Sequence, residues 1–308
     1  MSRIYFIGSG KGGSGKSFIN ANLGTLLARQ GKSVVLVDLD LGGSNLHTFF
    51  GLKNPKAGLN EFLNKTFKNL DQVVSPTIIP NLFMISSMDC SMEIANLFHT
   101  QKIKIIKAIQ RLPYDYILLD LGAGTNFNTL DFFLTSNECL FVATPEPTSI
   151  ENAFRFIRAA NLRMIKQALN QHDLNLIVDE IRDKAKNAII KSPSDIVDIV
   201  IKHNPNKGRM LRNKLSGFKF RFVLNQFRKQ TDVALGTKIE NVCNKNFYFK
   251  FQCLGNISYD DKEYDSIFSK KIYVNKYPYT LTAMGLQNIS KKLTENGQNS
   301  ILPSLKIS

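Results

Sequence analysis

Ten residues, Gly8-Ser9-Gly10-Lys11-Gly12-Gly13-Ser14-Gly15-Lys16-Ser17, constrain the fold of this chain more than any other segment. They lie between a short apolar run, Arg3 to Gly8, and a stretch from Ser17 to Arg29 in which Ile19, Leu23, Leu26 and Leu27 recur at helical spacing until Gly31 stops it. The order is strand, glycine loop, helix, and Gly10 and Gly15 with Lys16 and Ser17 complete the phosphate-loop pattern G-x-x-x-x-G-K-S. Gly10, Gly12, Gly13 and Gly15, with Ser14 among them, let backbone N–H groups curl around phosphate oxygens, and the following helix adds its positive end. Lys16 is expected to neutralise the β and γ phosphates, and Ser17 to ligate Mg²⁺.

The rest of the chain repeats the strand-helix rhythm. Ser33 to Val37 is β-branched and apolar on both faces, as a central parallel strand would be, and it ends on Asp38. Similar runs follow at Leu82 to Ile85, Tyr116 to Leu119, Leu140 to Ala143, Phe220 to Leu224 and Phe249 to Leu254. Helical segments between most of them predict an α/β fold, a doubly wound, mostly parallel sheet flanked by helices, with ligands beyond the carboxyl ends of the strands. A helical insertion around 170–216 interrupts the rhythm. Within it Ser192 reads as an N-cap, Pro193 as the first helical residue and Asp195 as the acidic residue of the first turn; Pro205 is expected to end that helix. The last helix is expected from about Thr280 to Leu293. A single P-loop domain is expected over 1–295, followed by a short polar tail, 296–308.

Two further strand ends carry carboxylates. Asp38-Leu39-Asp40 follows the second strand and sets one acid near a metal and the other farther out, towards a γ-phosphate. Leu118-Leu119-Asp120-Leu121-Gly122-Ala123-Gly124 is a hydrophobic strand with a terminal acid, the Walker B pattern; Asp120 is expected to hold Mg²⁺ through water. Gly122 and Gly124 leave the backbone free to approach and sense a γ-phosphate.

With the second lysine, Lys11, the loop resembles the deviant Walker A signature K-G-G-x-G-K-[S/T] of the MinD/ParA ATPases. The resemblance implies an ATPase using ATP and Mg²⁺, a slow switch, with Lys11 reaching across an ATP-dependent homodimer to the partner's phosphates. Asp38 to Leu46 resembles the family's switch I; this implies that Asp40 positions the attacking water, Asp38 supports the Mg²⁺ environment and Asn45 faces the dimer seam. Lys11, Lys16 and Asp40 are thus the expected catalytic residues. Val223-Leu224-Asn225-Gln226 is similar to the strand end whose Asn recognises adenine. Thr144-Pro145-Glu146-Pro147-Thr148-Ser149 and the switch wording resemble the flagellar-number branch, FlhG or FleN. That implies flagellar or polar placement, with a placement GTPase or another protein as partner; DNA partitioning of the ParA kind and a MinD-like division-site role are the alternatives.

Composition narrows the setting. The formal charge is +15, and between Lys202 and Thr231 there are nine basic residues and no acidic one: Lys202, Lys207, Arg209, Arg212, Lys214, Lys219, Arg221, Arg228 and Lys229. Such a stretch suits an anionic surface, DNA or acidic membrane, or is simply a solvated face. Cys90, Cys139, Cys243 and Cys253 are widely spaced, and no disulfide framework, zinc site or iron–sulfur cluster is expected. The start lacks a leader pattern and no apolar run approaches the roughly 18–20 residues of a spanning helix. The expectation is a cytoplasmic protein, with a peripheral place at membrane, cell pole or nucleoid left open.

Overall fold

The computed structural model describes residues 2–41, 43–52, 57–88, 97–136, 138–169 and 192–295. Strands β1 (Arg3–Gly8), β2 (Val34–Leu39), β3 (Ser75–Pro76), β4 (Leu82–Ile85), β5 (Tyr116–Leu121), β6 (Glu138–Ala143), β7 (Lys219–Phe227) and β8 (Lys250–Ser258) form one sheet. Their order is β3-β4-β2-β5-β1-β6-β7-β8. Every pairing is parallel except that of the two-residue edge strand β3 with β4. The doubly wound, mostly parallel sheet expected from the sequence is therefore the observed one. β3 went unread because two residues carry no periodicity.

Helices cover both faces: α1 (Lys16–Arg29), α2 (Leu46–Phe49), α3 (Leu59–Leu63), α4 (His99–Ile109), α5 (Phe127–Phe133), α6 (Pro147–Ala168), α7 (Pro193–His203), α8 (Pro205–Gly217), α9 (Leu235–Asn246), α10 (Lys262–Phe268), α11 (Tyr273–Lys276) and α12 (Leu281–Glu295). Alternation along the strands explains the two layers. Val35, Val37 and Leu39 of β2 face one core, with Phe133, Phe141, Phe156 and Phe220, while Val34 and Leu36 face the other, with Leu23, Leu27, Leu286 and Ile289. The first core is aromatic: the Phe133 and Phe156 rings meet edge to face at 4.8 Å, an arrangement that adds about 0.5–1.5 kcal/mol beyond area burial. α1 is buried along most of its length. Gly24 permits this, since a Cβ there would lie 2.7 Å from Leu36 Cδ2.

The described part of the insertion is the α7–α8 pair. Asp195 accepts from the Ser192 backbone N at 2.8 Å, as the N-terminal signature required. Pro205 does more than end α7: it opens α8 as its first residue, with Asn204 accepting from the Lys207 backbone N at 3.1 Å. The two helices pack closely because Gly208 leaves room, its Cβ position lying 2.5 Å from Ile201 Cα. Residues 170–191, the tail 296–308 and Cys90 lie outside the described residues.

The basic stretch does not behave as one surface. Arg221 is 2% exposed, 3.0 Å from Glu138 and within 5.9 Å of the Tyr5 ring; Lys219 pairs with the same carboxylate at 3.2 Å. β7 lies beside β6, so Arg221 serves the sheet interior, and Lys219, partly exposed, is tied to the same carboxylate. Arg209, Arg212 and Lys214 of α8 remain exposed.

Candidate functional site

The sheet order decides where the chemistry gathers. β1 lies between β5 and β6, and the chain leaves it for β2 on one side while β6 to β8 extend the other. The loop after β1 thus sits at the topological switch point, where open α/β sheets bind ligands. In register, β2 and β5 pair Asp38 with Asp120, and β1 and β5 pair Ile7 with Asp120. Two carboxylates distant in sequence become neighbours at the head of α1.

The glycine loop has the backbone its pattern demands. Gly13 (φ 77) and Gly15 (φ 85) are left-handed, and nothing lies within 4 Å of a Cβ built on Gly12 or Gly13. That open cradle fits a phosphate chain. The loop is braced from three directions. Gly10 is pressed against α6, its Cβ position 2.6 Å from the Asn152 carbonyl carbon. Asn225 Nδ2 donates to the Ser14 carbonyl at 3.0 Å and Gln226 Nε2 to the Gly13 carbonyl at 3.3 Å. Gly124, left-handed at φ 87, donates its N–H to the Ser9 carbonyl at 3.0 Å, tying the segment after β5 to the loop.

The charged groups then fall into place. Lys16 Nζ is 3.4 Å from Asp120 Oδ1, and Ser17 Oγ donates to Asp120 Oδ2 at 2.6 Å. Asp38 accepts from the Asp40 backbone N at 3.0 Å, Ser44 Oγ at 2.7 Å and the Leu46 backbone N at 3.3 Å. Asp40 sits farther out, half-buried, and a Cβ on Gly122 would be 3.3 Å from its Oδ1, so the Gly122 backbone runs close beside that carboxylate. Asn45 is exposed, its Nδ2 donating to the Gly43 carbonyl at 2.9 Å; Gly42 of the same loop lies outside the described residues. A cleft of about 650 Å³ opens beside Asp40 and Gly122 towards Lys102 and Phe127.

The structure thus gathers Lys11, Lys16, Ser17, Asp38, Asp40, Asp120, Gly122, Gly124 and Asn225 around one loop. It also adds three residues that sequence reasoning left without a role. Glu146, just before Pro147 of α6, holds Lys11 through a 2.6 Å ion pair. Ser44 caps Asp38, and Gln226 braces the loop. Glu146 had a signal, an acid at a strand end ahead of a proline-started helix; Ser44 and Gln226 had none.

Burial sets the protonation of the acids. The Asp38 carboxyl is pushed up to about 7, first by burial and then by the neighbouring Asp120, with the hydrogen bonds from Ser44, Asp40 and Leu46 offsetting part of the rise. Asp120 is raised as well, burial outweighing the Lys16 charge and the Ser17 hydrogen bond. Two buried acids and one lysine leave the site short of positive charge, which fits a divalent cation held by Ser17, Asp120 and Asp38. A pH dependence follows. An acid whose pKa rises on folding keeps its proton, so its contribution to stability is complete below the ordinary value of 3.8 and lost as pH climbs through about 7. Asp38→Asn removes that loss, which is on the order of 2–4 kcal/mol. In thermal melts of ligand-free protein we expect the variant to gain about 5 °C over the wild type at pH 8 and nothing at pH 4. Equal gains at both values would show that the Asp38 charge is not the cause.

Comparison with known proteins agrees with this geometry. The septum site-determining protein MinD of Synechocystis sp. is 28% identical over 246 residues, covering 75% of this chain and 91% of that protein. The structure of MinD from Pyrococcus horikoshii complexed with Mg-ADP superposes with a TM-score of 0.65 at 19% identity, covering 97% of this chain and 98% of that one. A ParA family ATPase from Chlorobium tepidum gives 0.62 at 19%, covering 94% and 99%; at such identity the two structures speak for the fold alone. The model of the CobQ/CobB/MinD/ParA nucleotide binding domain matches residues 5–272. With the braced phosphate loop, the paired carboxylates of β2 and β5 and a family match over most of its length, the chain belongs to the CobQ/CobB/MinD/ParA family of nucleotide-binding domains.

Proposed function

We propose that this chain is a Mg·ATP-dependent ATPase whose ATP-bound form dimerises and acts as a spatial or number regulator, in flagellar or polar placement. The observation that carries the switch is the position of the extra lysine. Lys16 is buried against Asp120, whereas Lys11 stands at the rim, 31% exposed and held by Glu146. One lysine, in this reading, serves the loop's own phosphates, and the other serves those of a second subunit. In this reading Ser17, Asp38 and Asp120 hold Mg²⁺, which when bound screens the phosphate charge. Asp40 orients the attacking water, Gly122 and Gly124 respond to the γ-phosphate, and Asn45 lies at the seam.

The placement role rests on the resemblance of the Thr144 to Ser149 motif and the switch wording to the flagellar-number branch. The MinD relatives favour a division-site role as the second reading. The two roles, and DNA partitioning, differ in what the ATP-bound dimer binds. Pelleting with acidic liposomes beside a gel shift with non-specific DNA separates partitioning from the other two. Pelleting supports a membrane-docked placement or division role, and a shift supports partitioning.

The cations of α8, of which Arg209, Arg212 and Lys214 are exposed and Lys207 is half-buried, give this test a mutational arm. Replacing Lys207, Arg209, Arg212 and Lys214 by Glu is expected to weaken binding of the ATP-bound form to whichever anionic surface it uses, and to leave hydrolysis unchanged. Lys219 and Arg221 are left out because they pair with Glu138. Equal binding by variant and wild type at about 50 mM salt would reduce the stretch to a solvated face.

A further inference from the structure

Hydrolysis at the phosphate loop frees an orthophosphate, and the loop is poorly made to keep it. Asp38, Asp40 and Asp120 stand on the β2–β5 side, while Lys16 lies at the base beside Asp120, where the phosphates left on the nucleotide claim its charge. A freed anion among three carboxylates is repelled, and it moves towards the nearest surplus of positive charge.

The cleft beside Asp40 leads to such a surplus. Asp40 and Leu41 after β2, Gly122, Ala123 and Thr125 after β5, and Lys102 of α4 are among its walls, and its volume of about 650 Å³ falls in the roughly 300–1,000 Å³ of ligand sites. Lys102 is out of place by pattern. It falls on the buried stripe of α4 with Ile105, Ile106 and Ile109, where an apolar residue would complete the face, and it is 8% exposed. Its ammonium donates to Asp131 Oδ2 at 2.5 Å, and Asp131 Oδ1 accepts from Arg163 Nε at 2.8 Å. The Arg163 guanidinium lies 5.2 Å from the centroid of the Phe127 ring, which also lines the cleft. Against burial, the hydrogen bonds from Arg163 and Lys102 hold the Asp131 carboxyl below its ordinary range, so it stays charged. Two cations then share one carboxylate, and the excess charge in a half-dehydrated wall is offset when an anion arrives.

We infer that this cleft is the way out for the orthophosphate freed by hydrolysis, and that Lys102 is the group that receives it. An ammonium carries three N–H donors, and among the described residues Asp131 accepts from it once, which holds the group in place and leaves it able to donate to a phosphate oxygen. The walls on either side are the two switch segments, so the passage lies where the terminal phosphate is cut. The inference rests on the nucleotide reading of the phosphate loop.

Calorimetric titration of orthophosphate into protein saturated with Mg·ADP, at constant ionic strength, tests it on the wild type, Lys102→Gln and Thr125→Trp, beside a titration of each with Mg·ADP alone. Lys102→Gln removes the charge and leaves Asp131 with Arg163; Thr125→Trp, at an exposed position of the wall, fills the cleft and leaves the ion pairs intact. The wild type should bind orthophosphate, each variant about tenfold or more weakly, and all three should bind Mg·ADP alike. No orthophosphate binding by the wild type, or equal binding by all three, would overturn the passage. So would a parallel loss of Mg·ADP and orthophosphate, which would make Lys102 a brace of the switches. If Lys102→Gln fails to fold, Thr125→Trp decides alone. The Mg·ADP titration reports on the underlying reading separately: a wild type that binds no Mg·ADP removes the nucleotide site, and the passage falls with it.

Discussion

Lys16→Ala is expected to abolish ATP binding, with a loss of affinity of about a hundredfold or more. The side chain is 9% exposed at the start of α1, and its ammonium lies 3.4 Å from Asp120 in a site that already holds two buried acids. Removing it leaves the phosphates facing Asp38, Asp40 and Asp120 with one fewer compensating charge. Charge-assisted hydrogen bonds in a water-poor pocket are about twice as strong as neutral ones, and each 1.4 kcal/mol lost is tenfold in affinity. The variant should stay folded, because Asp120, already raised by burial, takes up a proton in place of its partner. Calorimetric titration with Mg·ATP, beside a circular dichroism spectrum, checks this. Undiminished binding by a folded variant would remove the phosphate-loop assignment.

The second large effect is expected at Asp40. Asp40→Ala should keep ATP affinity within about threefold and lower kcat by about a hundredfold or more, since positioning of the attacking water is lost while the cradle is not. The structure explains why the two separate. The link between Asp40 and Asp38 runs through the Asp40 backbone N, at 3.0 Å, and survives truncation of the side chain. Lys16, Ser17 and Asp120 are likewise untouched. Phosphate-release kinetics with a parallel binding titration reads both quantities. A variant that loses affinity in proportion to rate would instead make Asp40 part of the phosphate cradle.

The parts of the site legible in the sequence are those written as contiguous patterns. A phosphate loop needs glycines, a lysine and a hydroxyl at fixed spacing between a strand and a helix, so Gly10 to Ser17 announced itself. Asp38 and Asp120 were legible because each ends an apolar run, and parallel strands bring such ends to one edge. What could not be read were contacts between distant segments. Glu146 with Lys11, Ser14 with Asn225 and Arg221 with Glu138 join residues that only the sheet order makes neighbours. Nine basic residues therefore looked like one charged face, although β7 turns Arg221 into the interior and pairs Lys219 beside it. Pro205 shows a local ambiguity: a proline both stops one helix and favours the first turn of the next, and Asn204 as N-cap decides for the second.

The half-buried Lys11 at the loop rim underlies the claim of an ATP-driven dimer, and the mass of Asp40→Ala in solution tests that claim most directly. Slow hydrolysis keeps this variant charged with ATP while its mass is measured by multi-angle light scattering. Twice the chain mass with Mg·ATP, the chain mass with Mg·ADP, and a return to the chain mass on adding Lys11→Ala is the expected result. A monomer in Mg·ATP, or a dimer that does not depend on nucleotide or on Lys11, would contradict the account.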